Sequence, residues 1–131
     1  MNPTPISLAF FLISFLCFTQ AKEPKRQVLA CVGDSITQGV GAERGQSWPA
    51  QAQKTLGEKW KVENFGLSGT TLMNSGNKPY QKSQQFKAAL SSNPDVVVIM
   101  LGTNDTKPAN WRNSAKDYEV DYRDLISDFE K

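Results

Sequence analysis

The chain contains no histidine among its 131 residues, so no imidazole of its own can carry a proton in any reaction it joins. It has two cysteines, and only Cys31 lies beyond the apolar N-terminal run, which excludes an intrachain disulfide in a processed form. Charge of one sign is scarce too. Fifteen Lys and Arg are scattered among 13 Asp and Glu for a net charge of +2, with none of the basic stripe a nucleic-acid binder shows. There is no Gly-Lys-Ser/Thr for a phosphate loop, and Gly39-x-Gly41 is followed by Arg44 where a dinucleotide fingerprint places its third glycine. No internal repeat or low-complexity stretch occurs.

The one long apolar run is Ile6 to Phe18 (ISLAFFLISFLCF). At about 1.5 Å per residue it spans about 20 Å, short of the roughly 30 Å hydrocarbon core, so a stable membrane span is not expected. The run leads through Thr19-Gln20-Ala21 into charged Lys22-Glu23-Pro24-Lys25-Arg26, the layout of a secretory signal cleaved after Ala21. The expected division is therefore a signal peptide over 1–21, a single domain over 22–131, and a secreted or periplasmic protein.

The rest reads as strands alternating with helices. Gln27–Val32 is a short apolar strand ending at Gly33-Asp34-Ser35, with Cys31 inside it as a small buried hydrophobe. Ser47 is a candidate N-cap with Pro49 in the first turn, and Trp48, Ala52, Leu56 and Trp60 form one apolar face of the helix that follows. Lys61–Phe65 is a second strand, ending at Gly66-Leu67-Ser68-Gly69. A polar loop over Asn74–Pro79 precedes a helix around Gln81–Ser92. The strongest strand is Val96–Leu101, closed by Gly102-Thr103-Asn104-Asp105; a loop through Trp111 then leads to a helix carrying Tyr118, Tyr122, Leu125, Ile126 and Phe129. Tyr80 and Trp111 read as aromatics packed on the core. The pattern predicts an α/β fold with a parallel sheet, whose strand ends converge on one crevice. Val96–Leu101 is apolar at every position and should be buried on both faces, as an interior strand is. With nothing after the third helix to flank it, the chain reads as cut short after the third βα unit.

Gly33-Asp34-Ser35-Ile36-Thr37, Asn64-Phe65-Gly66-Leu67-Ser68-Gly69 and Gly102-Thr103-Asn104-Asp105 together resemble the first three blocks of the GDSL/SGNH hydrolases. Each block follows a predicted strand, in the family's order. The resemblance implies a flavodoxin-like α/β/α sandwich and hydrolysis of esters or thioesters, without cofactor or metal. It implies that Ser35 is the nucleophile and that the N–H groups of Ser35 and Gly66 and the Asn104 side-chain amide form the oxyanion hole. Asp34 would buttress the nucleophile turn. The segment Gly102 to Trp111 is similar to the carbohydrate deacetylase branch, including sialate O-acetylesterase-like members, so the expected partner is a small-molecule or glycan ester. Asn104-Asp105-Thr106 also matches a glycosylation sequon, discounted because a glycan there would block the crevice.

The family's fourth block, Asp-x-x-His, is absent. Asp117, Asp121, Asp124 and Asp128 are followed at the third position by Val120, Asp124, Ser127 and Lys131, and a second copy cannot supply what every copy lacks. Loss of the base costs on the order of 10⁶-fold in kcat in a serine hydrolase, about 8 kcal/mol of barrier. The alternatives are an esterase whose Asp-His pair lies beyond residue 131, a non-catalytic carbohydrate or lipid binder, and an inactive fragment. Acyl specificity and oligomeric state are not written in the sequence.

Overall fold

The computed structural model describes residues 25–130, so the expected signal segment lies outside the described residues. The sheet has three parallel strands, β1 (Gln27–Gly33), β2 (Trp60–Gly66) and β3 (Val96–Met100), in the order β2-β1-β3. The helices are α1 (Ser35–Gln38), α2 (Trp48–Leu56), α3 (Gln84–Ser91), α4 (Pro108–Ser114) and α5 (Tyr118–Phe129), with single 3₁₀ turns at Tyr80–Lys82 and Ala115–Asp117. The class and connectivity are those expected of a parallel α/β sheet, with the first strand central.

Most element boundaries fall within a few residues of expectation, and the exceptions have physical causes. Trp60 opens β2 rather than closing the α2 face, because Gly57 breaks the helix with a left-handed φ of 71°. Ser47 stands at the N-cap of α2 without a side-chain hydrogen bond, while Pro49 in the first turn is buried. The stretch through Trp111 is helical, opened by Pro108 whose missing N–H costs nothing at that position.

One side of the sheet carries the core. Val32, Tyr80, Phe86, Ala89 and Leu125 are buried together, flanked by Phe65, Val97, Ile99 and Phe129. Phe86 makes edge-on contacts with Tyr80 and Phe129 at centroid distances of 6.1 and 6.0 Å, and the Tyr80 hydroxyl donates to Phe65 O at 2.8 Å. Tyr80 is thus the core aromatic expected, whereas Trp111 is 44% exposed against the edge of Tyr118. Cys31 is fully buried, and burial pushes its thiol up to about 11.

The expectation for β3 is met on one face only. Val97 and Ile99 are half-buried toward the core, but Val96, Val98 and Met100 are each about two-fifths exposed. Among the described residues β3 pairs with β1 alone, and an open groove of about 380 Å³ runs between β3 and α5 past Ile99, Tyr122 and Ile126. No helix of the described residues is long and apolar enough to cross a membrane.

Candidate active site

The parallel register sets the three strand ends level. Gly33 pairs with Gly66 on one side and Met100 on the other, and Leu67 N–H donates to Gly33 O at 2.9 Å. All three polar blocks therefore leave the sheet at one edge. Gly33 can have no side chain here, since a Cβ would fall 2.6 Å from Thr37 Cβ and 2.8 Å from Met100 O.

Ser35 is the first residue of α1 and is half-buried. Its N–H belongs to the first turn, where no intrahelical acceptor exists, and its Oγ has no partner among the described residues. Asp34, 1% exposed, works in two directions. Oδ1 caps the helix by accepting from Ile36 N–H at 2.9 Å, and Oδ2 faces the Asn104 amide at 3.4 Å. The buttressing role expected of Asp34 thus has a geometry, and it reaches across to the third block.

Asn104 is buried, and its Nδ2 also donates to Thr70 O at 3.0 Å. The Thr70 bond is well formed, whereas the 3.4 Å approach to Asp34 Oδ2 is long for a hydrogen bond, so the amide hydrogen on the Asp34–Ser35 side is the one a substrate oxygen can take. The Asn104 carbonyl accepts from Asn110 Nδ2 at 2.8 Å, which holds the loop to α4. A side chain buried to this extent has no room for a glycan.

Gly66 is placed differently from its expected role. Its N–H is already bonded to Asn64 Oδ1 at 2.9 Å. A Cβ there would lie 2.7 Å from Gln38 Cα and Thr37 C, so the bare α-carbon lets α1 seat on β2 rather than admitting a substrate. Further along the block, Gly69 has φ +81° and an N–H with no partner among the described residues. It directly precedes Thr70, whose carbonyl holds the Asn104 amide.

Residues that the sequence reading passed over hold the loop after the second block. Asp105, fully buried, accepts from Leu72 N–H at 2.9 Å and Met73 N–H at 2.8 Å. Asp121 on α5 accepts from Asn74 N–H at 2.7 Å and Asn74 Nδ2 at 3.2 Å. Asn110 exchanges two bonds with Asn77, at 2.9 and 3.0 Å. Tyr118 packs its hydroxyl against Gly102, and burial, then the Asp105 charge and Tyr122, hold its pKa above the ordinary tyrosine value. Among the described residues no group of three or more Cys, Asp or Glu is arranged to hold a metal.

A family model, the GDSL-like lipase/acylhydrolase family, matches residues 31–131. The chain belongs to that family. It is 43% identical over 107 residues to an acetylxylan esterase of Xylanibacter ruminicola, covering 79% of this chain and 22% of the relative. Its fold superposes on AlinE4, an SGNH-hydrolase family esterase, with a TM-score of 0.60 at 25% identity, covering 83% of this chain and 56% of that one. An inhibitor-bound aryl esterase of M. smegmatis gives 0.61 at 26% identity, with 78% and 54% covered. The GDSL-like chain thus spans about a fifth of the curated relative and about half of each solved structure, and its fold is that of the SGNH hydrolases.

Proposed function

We propose that this GDSL-like chain supplies the nucleophile and oxyanion donors of an exported serine esterase that removes acetyl groups from carbohydrate. Ser35 Oγ attacks the acyl carbonyl, giving its proton to a base outside these residues. The ester bond breaks as the sugar alcohol leaves with that proton, and water then hydrolyses the acyl-enzyme to acetate and free Ser35. Negative charge develops on the carbonyl oxygen, and the Ser35 N–H, the Asn104 amide and the Gly69 N–H receive it. Gly69 takes the place first given to Gly66. The observation that carries the reading is the Asn104 amide, held between the neighbour of Ser35 (Asp34 Oδ2) and the neighbour of Gly69 (Thr70 O). The carbohydrate substrate is supported by the name of the acetylxylan esterase relative. Export rests on the Ile6–Ala21 pattern, and an exported chain beginning at Lys22 on intact-mass analysis is the expected result.

The general base must come from outside these residues, which hold no histidine. The assay is hydrolysis of a chromogenic acetyl ester by this chain with imidazole in solution, against Ser35→Ala to subtract imidazole's own reaction. Ser35-dependent turnover that rises with imidazole is expected, and Asn104→Ala should lower its kcat by about 10²- to 10³-fold. Equal rates for the native chain and Ser35→Ala would sink the esterase reading. The missing base favours one other reading, a carbohydrate binder that keeps the crevice. Saturable binding of an acetylated xylo-oligosaccharide without any Ser35-dependent turnover would establish it.

A further inference from the structure

We infer that Asp105 is a positioning residue for the oxyanion amide, acting through the loop that follows the second block. The inference rests on Asn104 being an oxyanion donor. Asp105 and Asn104 are adjacent, and their side chains reach the same loop with opposite polarity. Asn104 Nδ2 donates to Thr70 O, and the Asp105 carboxylate accepts from Leu72 and Met73 N–H. Together they close a short ring, so the Thr70 carbonyl that orients the Asn104 amide cannot shift without straining the two charge-assisted bonds to Asp105. The loop has local bonds, Thr71 N–H to Lys78 O and Gly76 N–H to Met73 O among them, but the buried Leu72 and Met73 N–H groups are taken by Asp105. Gly69 leads directly into the ring, so Asp105 also sets where the Gly69 N–H stands relative to Asn104.

Asp105 is chemically unusual for a residue that merely packs. It is 0% exposed, and the ion pairs among the described residues, Lys61–Glu63 and Arg123–Glu119, do not touch it. Burying a carboxylate without a cation is costly, and a neutral side chain of similar size would fill the space more cheaply. What a carboxylate adds is two acceptor oxygens in a fixed plane, facing two consecutive backbone N–H groups. That fixes orientation as well as distance. The neighbouring carboxylate, Asp121, holds Asn74 farther along the loop and makes no contact with the Thr70–Asn104 link, which makes it the natural control.

The test is a double-mutant cycle on the intact chain with Asp105→Asn, Asn104→Ala and both together, in the imidazole-supported acetyl ester assay. A parallel ¹H–¹⁵N spectrum follows the Asn104 side-chain amide and the Gly69 N–H. Asp105→Asn is expected to lower kcat by about 100-fold with little change in KM, the size of effect a misplacement of about 1 Å produces. In the Asn104→Ala background it should cost much less, only the part carried by the Gly69 N–H, and both resonances should move in Asp105→Asn. Asp121→Asn should lower the melting temperature while leaving kcat within about twofold. An additive loss in the Asn104→Ala background, or an unmoved Asn104 amide in folded Asp105→Asn, would overturn the inference. Where Asp105→Asn does not fold, Asp105→Glu keeps the charge on a longer arm and should move the same signals less. Moved resonances without Ser35-dependent hydrolysis would retain the positioning and remove the esterase reading.

Discussion

The Ser35 turn and the loop that faces it are fixed in different ways. The turn is built on close packing of backbone against backbone, with side-chain bonds closing over Thr37. Asp34 caps the helix two residues ahead, Gly33 and Gly66 bring backbone against backbone, and Thr37 is sealed beneath by Asn64 Nδ2 on its carbonyl at 2.8 Å and Trp48 Nε1 on its hydroxyl at 3.2 Å. The facing loop, Thr70 to Asn77, is held by polar side chains from far along the chain. Leu72 and Met73 reach Asp105 across 33 and 32 residues, and Asn74 reaches Asp121 across 47. Packing of the first kind fails when an atom is added, and bonding of the second kind fails when an acceptor is removed. The proposed site draws on both, because Ser35 lies on the turn and Asn104 is held through the Thr70 carbonyl at the start of the loop.

The contrast can be broken from the steric side first. Gly66→Ala drives a Cβ into the α1 backbone, which has no flexible side chain to move aside. A loss of about 3 kcal/mol or more is expected, read by denaturant titration. Alkali attacks the buried strand and core instead. Burial raises the pKa of Cys31 from 9.0 to about 11 and raises that of Tyr80 as well, so the unfolded chain ionises first. Stability should be full below pH 9 and fall as pH rises toward 11. Cys31→Ala should flatten that slope, and an unchanged slope would remove the thiol from the account. On the bonding side, Asp121→Ala leaves Asn74 N–H without its acceptor and should cost about 2 kcal/mol. Smallest is Val98→Thr on the outward row of β3, expected within about 0.5 kcal/mol because the side chain is already 40% exposed. A loss comparable to that of Asp121→Ala would show this row to be covered in solution.

That division also explains what the sequence disclosed. The strands and the three blocks were legible because each apolar run stops at residues that only a turn accommodates, and the blocks fall at strand ends. Ser35, Asp34 and Asn104 could be placed from that alone. Asp105 and Asp121 could not, since a carboxylate that meets a backbone N–H 33 or 47 residues away leaves no periodic trace. Gly66 was legible as a glycine but not in its purpose, because the backbone atom it avoids belongs to α1 and its N–H is spent on Asn64. The β3 pattern was legible as apolar on both faces, and the described residues cover only one. Pro108 is the signal for α4 that the reading passed over.

The outward row of β3 has a colloidal consequence. Val96, Val98 and Met100 form a narrow apolar ridge on β3, whose outer edge has no partner among the described residues. Such an edge is a template for another chain, so protein concentration becomes an experimental variable in its own right. Light scattering that rises with concentration, and falls when Val98→Lys puts a charge on the ridge, would identify this strand as what governs how the isolated chain behaves in the tube.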